Sequence, residues 1–418
     1  MKAKKIFCLF FIFFLFQNKL FSVEKGSRTA VSVQGHAFFP AADSDNRMLS
    51  FGWFKNGFTL QDSLTTCTFE STFSVEGGIA FNGGKLYLDS NLYFSKGTTF
   101  TSFGHIYGDS YVVDYAPSFS ALADNDHVYT MHDVYLISRS DLNLTGTFRF
   151  EGNCSFDANG DIVRLGRGAL IVVGRDSTLH LSDAILKNVC DGGIRCVDDT
   201  GKIVFQNICF VQQENFTFSK GAFEVFDEFR IKGDERDFVY NTSMTSTIKR
   251  CASLILDNGM TFSYNPGVAR DNLIAFEEKK SSRFILRGST LYTSVTGLHL
   301  KKGTLRVEEH SYLDSRGEVI IGNDLSSQDF NFDFHCGAKL EILSGSLCYR
   351  NIDTESWYMA SILSTLQFDY GSDLKLYQSL DTGNGKFIFG KNTQVLTMPG
   401  KRLFGNVSAT GGFIINDL

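Results

Sequence analysis

The same short phrase is written three times in this chain. Leu92-Tyr93-Phe94-Ser95-Lys96-Gly97 returns as Phe216-Thr217-Phe218-Ser219-Lys220-Gly221 and as Leu298-His299-Leu300-Lys301-Lys302-Gly303. Two apolar residues one apart, a polar spacer and Lys-Gly are followed within a few residues by another apolar position: Phe100, Phe223 or Leu305. Residues i and i+2 share a face of an extended strand, and glycine relieves a sharp bend. The phrase predicts strand, corner, strand. It constrains architecture and carries no chemistry.

Alternation of this kind fills the chain. Gly84 opens Leu86, Leu88, Leu92 and Phe94 as expected inward residues; Gly168 opens Leu170, Val172, Leu179 and Leu181. Gly201 opens Ile203, Phe205, Ile208 and Phe210; Gly221 opens Phe223, Val225, Phe229 and Ile231. Turn formers such as Asp89-Ser90-Asn91, Gln206-Asn207 and Asp227-Glu228 separate the pairs. Only 4 of 418 residues are proline, which suits interior strands because proline cannot donate to a ladder. The best helical candidate, Thr354 to Gln367, carries β-branched and aromatic residues and has no convincing N-cap.

A β-solenoid and an antiparallel sandwich both produce such a pattern. Spacing favours the solenoid. The Lys-Gly phrases lie 124 and 82 residues apart, near multiples of a two-coil unit of roughly 40 residues. The predicted fold class is all-β: a single-stranded parallel β-helix with an N-terminal cap.

Lys2, Lys4 and Lys5 followed by the apolar run Ile6 to Phe16 predict a signal peptide over residues 1–22. That run is too short to span a bilayer as a helix, although an uncleaved anchor is the alternative. Residues 23–60, with Pro40 and the polar Asp43 to Arg47, read as the cap; residues 61–418 read as the solenoid. A second irregular stretch, Ser118 to Asp133, reads as a loop leaving the stack. No later segment is apolar enough for a spanning helix. The expected location is the cell surface, the periplasm or the medium.

A net charge of −6 without basic blocks speaks against nucleic acid as a partner. Nine cysteines include Cys8 in the leader; the other eight are consistent with buried thiols or with a disulfide, for which Cys190–Cys196 closes the shortest loop.

Gly-rich, Phe-rich alternation behind a leader resembles right-handed β-helix proteins, both pectate-lyase-like enzymes and the passenger regions of secreted bacterial surface proteins. Gly192-Gly193-Ile194 with Phe205-Gln206-Asn207 is similar to the short tags of chlamydial polymorphic surface proteins. The chain as a whole also resembles uncharacterised secreted proteins of intracellular bacteria. The resemblance implies export and either an adhesive role or polysaccharide chemistry.

Enzyme signatures are missing: there is no Gly-x-Ser-x-Gly, His-Glu-x-x-His, Walker loop or dinucleotide fingerprint. Asp157-Ala158-Asn159-Gly160-Asp161 starts like a calcium loop, but Ile162 and Gly168 stand where glycine and glutamate belong. A type I′ turn at Asn159-Gly160 explains it better. Asp124, Asp126, His127, His132 and Asp133 form the best candidate cluster, since carboxylates and imidazoles hold divalent ions and β-helix lyases use acids for calcium. Solvated loop acids are the plainer reading, and no metal or cofactor is assigned. Asp198-Asp199 reads as a solvated turn. Tyr87 and Tyr93 are expected to project outward, where flat rings bind a glycan or a protein. The leading expectation is a non-enzymatic exported solenoid; a β-helix lyase or hydrolase is the alternative.

Overall fold

The computed structural model describes most of residues 51–417, with Val31–Ser32 and Ala37–Phe38. Residues 1–30, 116–126, 267–272, 322–329, 350–356 and shorter stretches lie outside the described residues. The chain is a parallel β-solenoid. Among the described residues there is no helix, and so none long and apolar enough to cross a membrane.

One parallel ladder runs from Phe51–Phe54 through Thr72–Val75 and Leu92–Phe94 to Trp357–Met359. A seven-stranded ladder, Thr66–Phe69 through Ile194–Cys196, flanks its N-terminal part. A nine-stranded ladder from Phe216–Phe218 to Leu403–Ala409 and a six-stranded one from Leu298–Leu300 to Ile414–Asp417 follow. Two pairings are antiparallel: Val31–Ser32 on Phe58–Leu60, and Ala37–Phe38 on Phe51–Phe54. Phe51–Phe54 and Phe58–Leu60 are already in parallel register with later strands. The antiparallel segments thus pair with the first rung, where an open solenoid would otherwise leave ladder groups unsatisfied.

Stacking in register turns alternation into rows. Leu86, Ile106, Met131, Phe150, Val173 and Cys196 follow one another across the seven-stranded ladder, and all are buried. Phenylalanine fills the interior further along. Phe205 stacks on Phe229 with centroids 4.0 Å apart, and Phe223 meets Phe229 edge-on at 6.1 Å. Each buried ring contributes about 1.5–3 kcal/mol, which accounts for the heavy use of this residue.

Corners carry the polar work. Most non-glycine residues with positive φ are Asn or Asp, among them Asn82, Asp133, Asp183, Asn207 and Asp227, the types that tolerate the left-handed region best. Thr178–Val189, Lys202–Gln212 and Ala222–Lys232 are continuous strands bent at Asp183, Asn207 and Asp227. Asn207 Nδ2 donates to Asp183 Oδ1 at 3.0 Å, linking one corner to the next. Asn159 and Gly160 both have positive φ, as the type I′ reading requires.

Two copies of the Lys-Gly phrase have described corners. Gly221 and Gly303 have φ of +74° and +99°; Gly221 lies between two strands, and Gly303 opens the strand that follows the corner. A side chain at Gly303 would overlap the Phe276 ring, and one at Gly221 would lie 2.6 Å from Cys196 Sγ.

Thr354 to Gln367, the best helical candidate but one without a convincing N-cap, contains the strand Trp357–Met359 and the start of Thr365–Asp369. Two readings need correction. The irregular stretch ends before Val128–His132, which is a strand in full register. In the Gly168 coil Ile171 and Val173 face inward; Leu170 and Val172 do not. Val172 instead shares an outward row with Arg149 and Arg195, yet is buried.

Candidate functional site

The outward face of the seven-stranded ladder carries a column of rings. Lys85–Leu88 and Gly104–Tyr107 alternate in burial, and Leu86, Ile106 and Met131 form one buried row across the three strands. Tyr87, Tyr107 and His132 occupy one outward row, with Glu151 next on the following rung. Parallel strands lie ~4.8 Å apart, close to the thickness of a ring stack. Tyr87 and Tyr107 lie with centroids 4.6 Å apart and planes at 11°; Tyr107 and His132 lie 4.2 Å apart at 4°.

A second row on the same face holds Lys85, His105, Thr130 and Arg149. His105 Nδ1 sits 3.3 Å from His132 Nε2, so the rows meet in an imidazole pair. Burial, then the neighbouring Lys85 charge, lowers the His105 pKa below the ordinary value. Burial and His105 lower that of His132, against the opposing pull of Glu151 and Asp133. Both rings are therefore neutral at pH 7. Burial, with Tyr87 alongside, raises the Tyr107 phenol.

Glu151 is engaged by its own neighbours. It pairs with Arg149 and accepts a hydrogen bond from Ser177 Oγ at 3.3 Å. Asp133 has φ of +50° and serves as a corner: its Oδ1 accepts from the Asn153 amide at 2.8 Å. His127 stands at the start of the Val128–His132 strand, its carbonyl accepting from the Thr147 amide at 2.9 Å. Asp124 and Asp126 lie outside the described residues. Of the predicted cluster, His127, His132 and Asp133 thus bracket one strand. Among the described residues no group of three or more His, Cys, Asp or Glu is arranged around a common ion position.

Tyr87 and Tyr93 fall on different ladders. Tyr93 is paired with Ser74 and Asp114 and is exposed, while Tyr87 belongs to the column. Tyr107 is stacked on both faces, by Tyr87 and by His132. Tyr107, His105 and Glu151 escaped the sequence reading. Their signal is phase: Tyr107 follows Ile106 as Tyr87 follows Leu86, one coil later.

Several other outward carboxylates are paired with basic side chains. Asp141 meets Arg164 at 2.8 Å and accepts from the Ile162 amide. Asp198 meets Arg175 at 2.8 Å and caps its own turn through the Thr200 amide and hydroxyl; those bonds hold its pKa down to about 2. Glu224 lies between Lys202 at 3.2 Å and Lys249 at 3.5 Å, and Glu308 meets Arg287 at 2.8 Å.

Cys154, Cys190, Cys196, Cys209 and Cys251 are free thiols. Cys196 fills the core row, and Cys190 Sγ points to the Asn188 carbonyl instead, so this shortest loop is not closed.

Comparison with protein-family models, with curated proteins and with solved structures finds no match for this chain.

Proposed function

We propose that this protein is an exported β-solenoid with a structural, adhesive or host-interaction role at the cell surface or in the periplasm, acting without catalysis. The observation that carries this reading is the pairing of outward carboxylates. Asp141, Glu151, Asp198, Glu224 and Glu308 each meet a basic side chain. Exposed pairs contribute little to stability individually, but each of these five carboxylates is held in a local contact with a basic side chain. The passenger-type resemblance and the basic-then-apolar leader point the same way. The partner would be a protein or a glycan engaging the column's ring edges and phenol groups, since the central ring, Tyr107, is covered on both faces.

The alternative is a polysaccharide lyase or glycoside hydrolase. It requires carboxylates from successive coils to converge unpaired on one groove, with a base beside them. Two measurements decide. Cell fractionation with protease shaving should place the chain outside the cytoplasm, and purified protein should bind host cells without degrading a polysaccharide panel in calcium. Turnover abolished by Asp124→Ala or Asp126→Ala would replace this reading with the enzymatic one.

A further inference from the structure

We infer that His105 and His132 form a two-imidazole site for a divalent ion of the late transition series, zinc or copper. Zinc binds imidazole nitrogen at about 2.0–2.1 Å, so two nitrogens at a tetrahedral angle lie about 3.3 Å apart. His105 Nδ1 and His132 Nε2 are separated by 3.3 Å. The contact is a hydrogen bond between the two rings, and its length equals the nitrogen separation of a bidentate ligand pair.

Three further features favour the site. The two strands are in direct parallel register, His105 beside Thr130 and Tyr107 beside His132, so the backbone holds both rings. Tyr107 lies flat on His132 at 4.2 Å and covers one ring face, which limits ring rotation before any ion arrives. Ligands held in place by their supporting contacts bind with less ordering cost. The rings are also half-buried yet open on the outward side.

The charges around the pair set its strength. Lys85 stands beside His105 in the same row and opposes a cation. Glu151 follows His132 on the next rung and favours one, though Arg149 partly offsets it. With two protein ligands, water fills the remaining positions. Imidazole selects zinc and copper, whereas calcium and magnesium demand oxygen. The proton balance is simple. In the neutral pair one nitrogen at the contact carries a proton. On binding, that proton passes through solvent to the other nitrogen of the same ring, and both contact nitrogens donate lone pairs.

The test is calorimetric titration of the full chain with zinc chloride, then copper chloride, at pH 7.5. His105→Phe and His132→Phe keep a ring in the column and remove the ligand nitrogen; circular dichroism checks the fold. His180→Phe is the control, since His180 lies on another ladder. Each of the first two should weaken binding at least tenfold, the control should leave it unchanged, and copper should bind more tightly than zinc. Added zinc should raise the unfolding temperature of the wild type but not of the His105→Phe/His132→Phe double variant. Equal zinc affinity in the wild type and the double variant, or equal binding of calcium, would overturn the assignment. This result is independent of whether the protein proves adhesive or enzymatic.

Discussion

Tyr107 lies flat against His132, their ring centroids 4.2 Å apart and their planes within 4°. The strands carrying them are successive coils in direct register. Such a stack contributes about 0.5–1.5 kcal/mol beyond burial, and it places an imidazole where a second one, His105, meets it. The consequence for stability is a dependence on protons.

Both imidazoles titrate below the ordinary histidine value of 6.5. On acidification the unfolded chain therefore takes up protons first, and stability present above about pH 6.5 is lost as pH falls through the lower folded values. Burial of both rings acts in this direction first, followed by Lys85 at His105 and by His105 and Arg149 at His132; Glu151 and Asp133 oppose it. Urea unfolding at pH 7.5 and pH 5.0 should show the wild-type midpoint falling. The His105→Phe/His132→Phe variant should show a smaller drop. An equal drop in both would remove the pair as its cause.

Gly303→Ala should destabilise the solenoid by about 2 kcal/mol or more, because φ is +99° and the new methyl would overlap Phe276. Lys302→Ala, beside it, should change little. Thermal unfolding of the two variants separates a demand of the corner backbone from a demand for charge.

Phe229→Ala should cost about 3–5 kcal/mol, since the ring is fully buried and stacks on Phe205 at 4.0 Å. Tyr93→Ala, on the exposed side of its strand, should cost far less. Denaturant midpoints of the two would show whether the Phe-rich interior is a close-packed core.

Burial pushes the Cys154 thiol up to about 11 and that of Cys196 up to about 12. Cys251 is exposed. In folded protein at pH 8, iodoacetamide should modify Cys251 long before Cys154 or Cys196, because the thiolate is the reactive species. Peptide mapping by mass spectrometry reads the order. Early labelling of Cys196 would mean that its coil opens.

Architecture was legible because it is written locally and repeatedly. Strand, corner and strand could be read at Phe216 to Phe223, and the inward residues Ile203, Phe205, Ile208 and Phe210 were assigned to the correct face. Alternation carries no signal at Leu170-Ile171-Val172-Val173, where every residue is apolar and parity leaves no trace. There the rows of Phe148 and Phe150 select Ile171 and Val173 as inward, because a shift by one residue would turn the strand over.

The ring column was half visible. Tyr87 could be placed outward from its own strand, but its partner is Tyr107, not Tyr93, which lies on another ladder. Alternation within one coil determines which side of a strand a residue occupies. Only stacking determines which residue of the next coil stands above it, since coils differ in length and one added residue at a corner shifts the register. From the sequence alone came a repetitive, corner-punctuated β-chain with a phenylalanine interior. The tertiary structure decided that two histidines from different coils meet nitrogen to nitrogen, because that contact depends on the rise between coils and on no spacing along the chain.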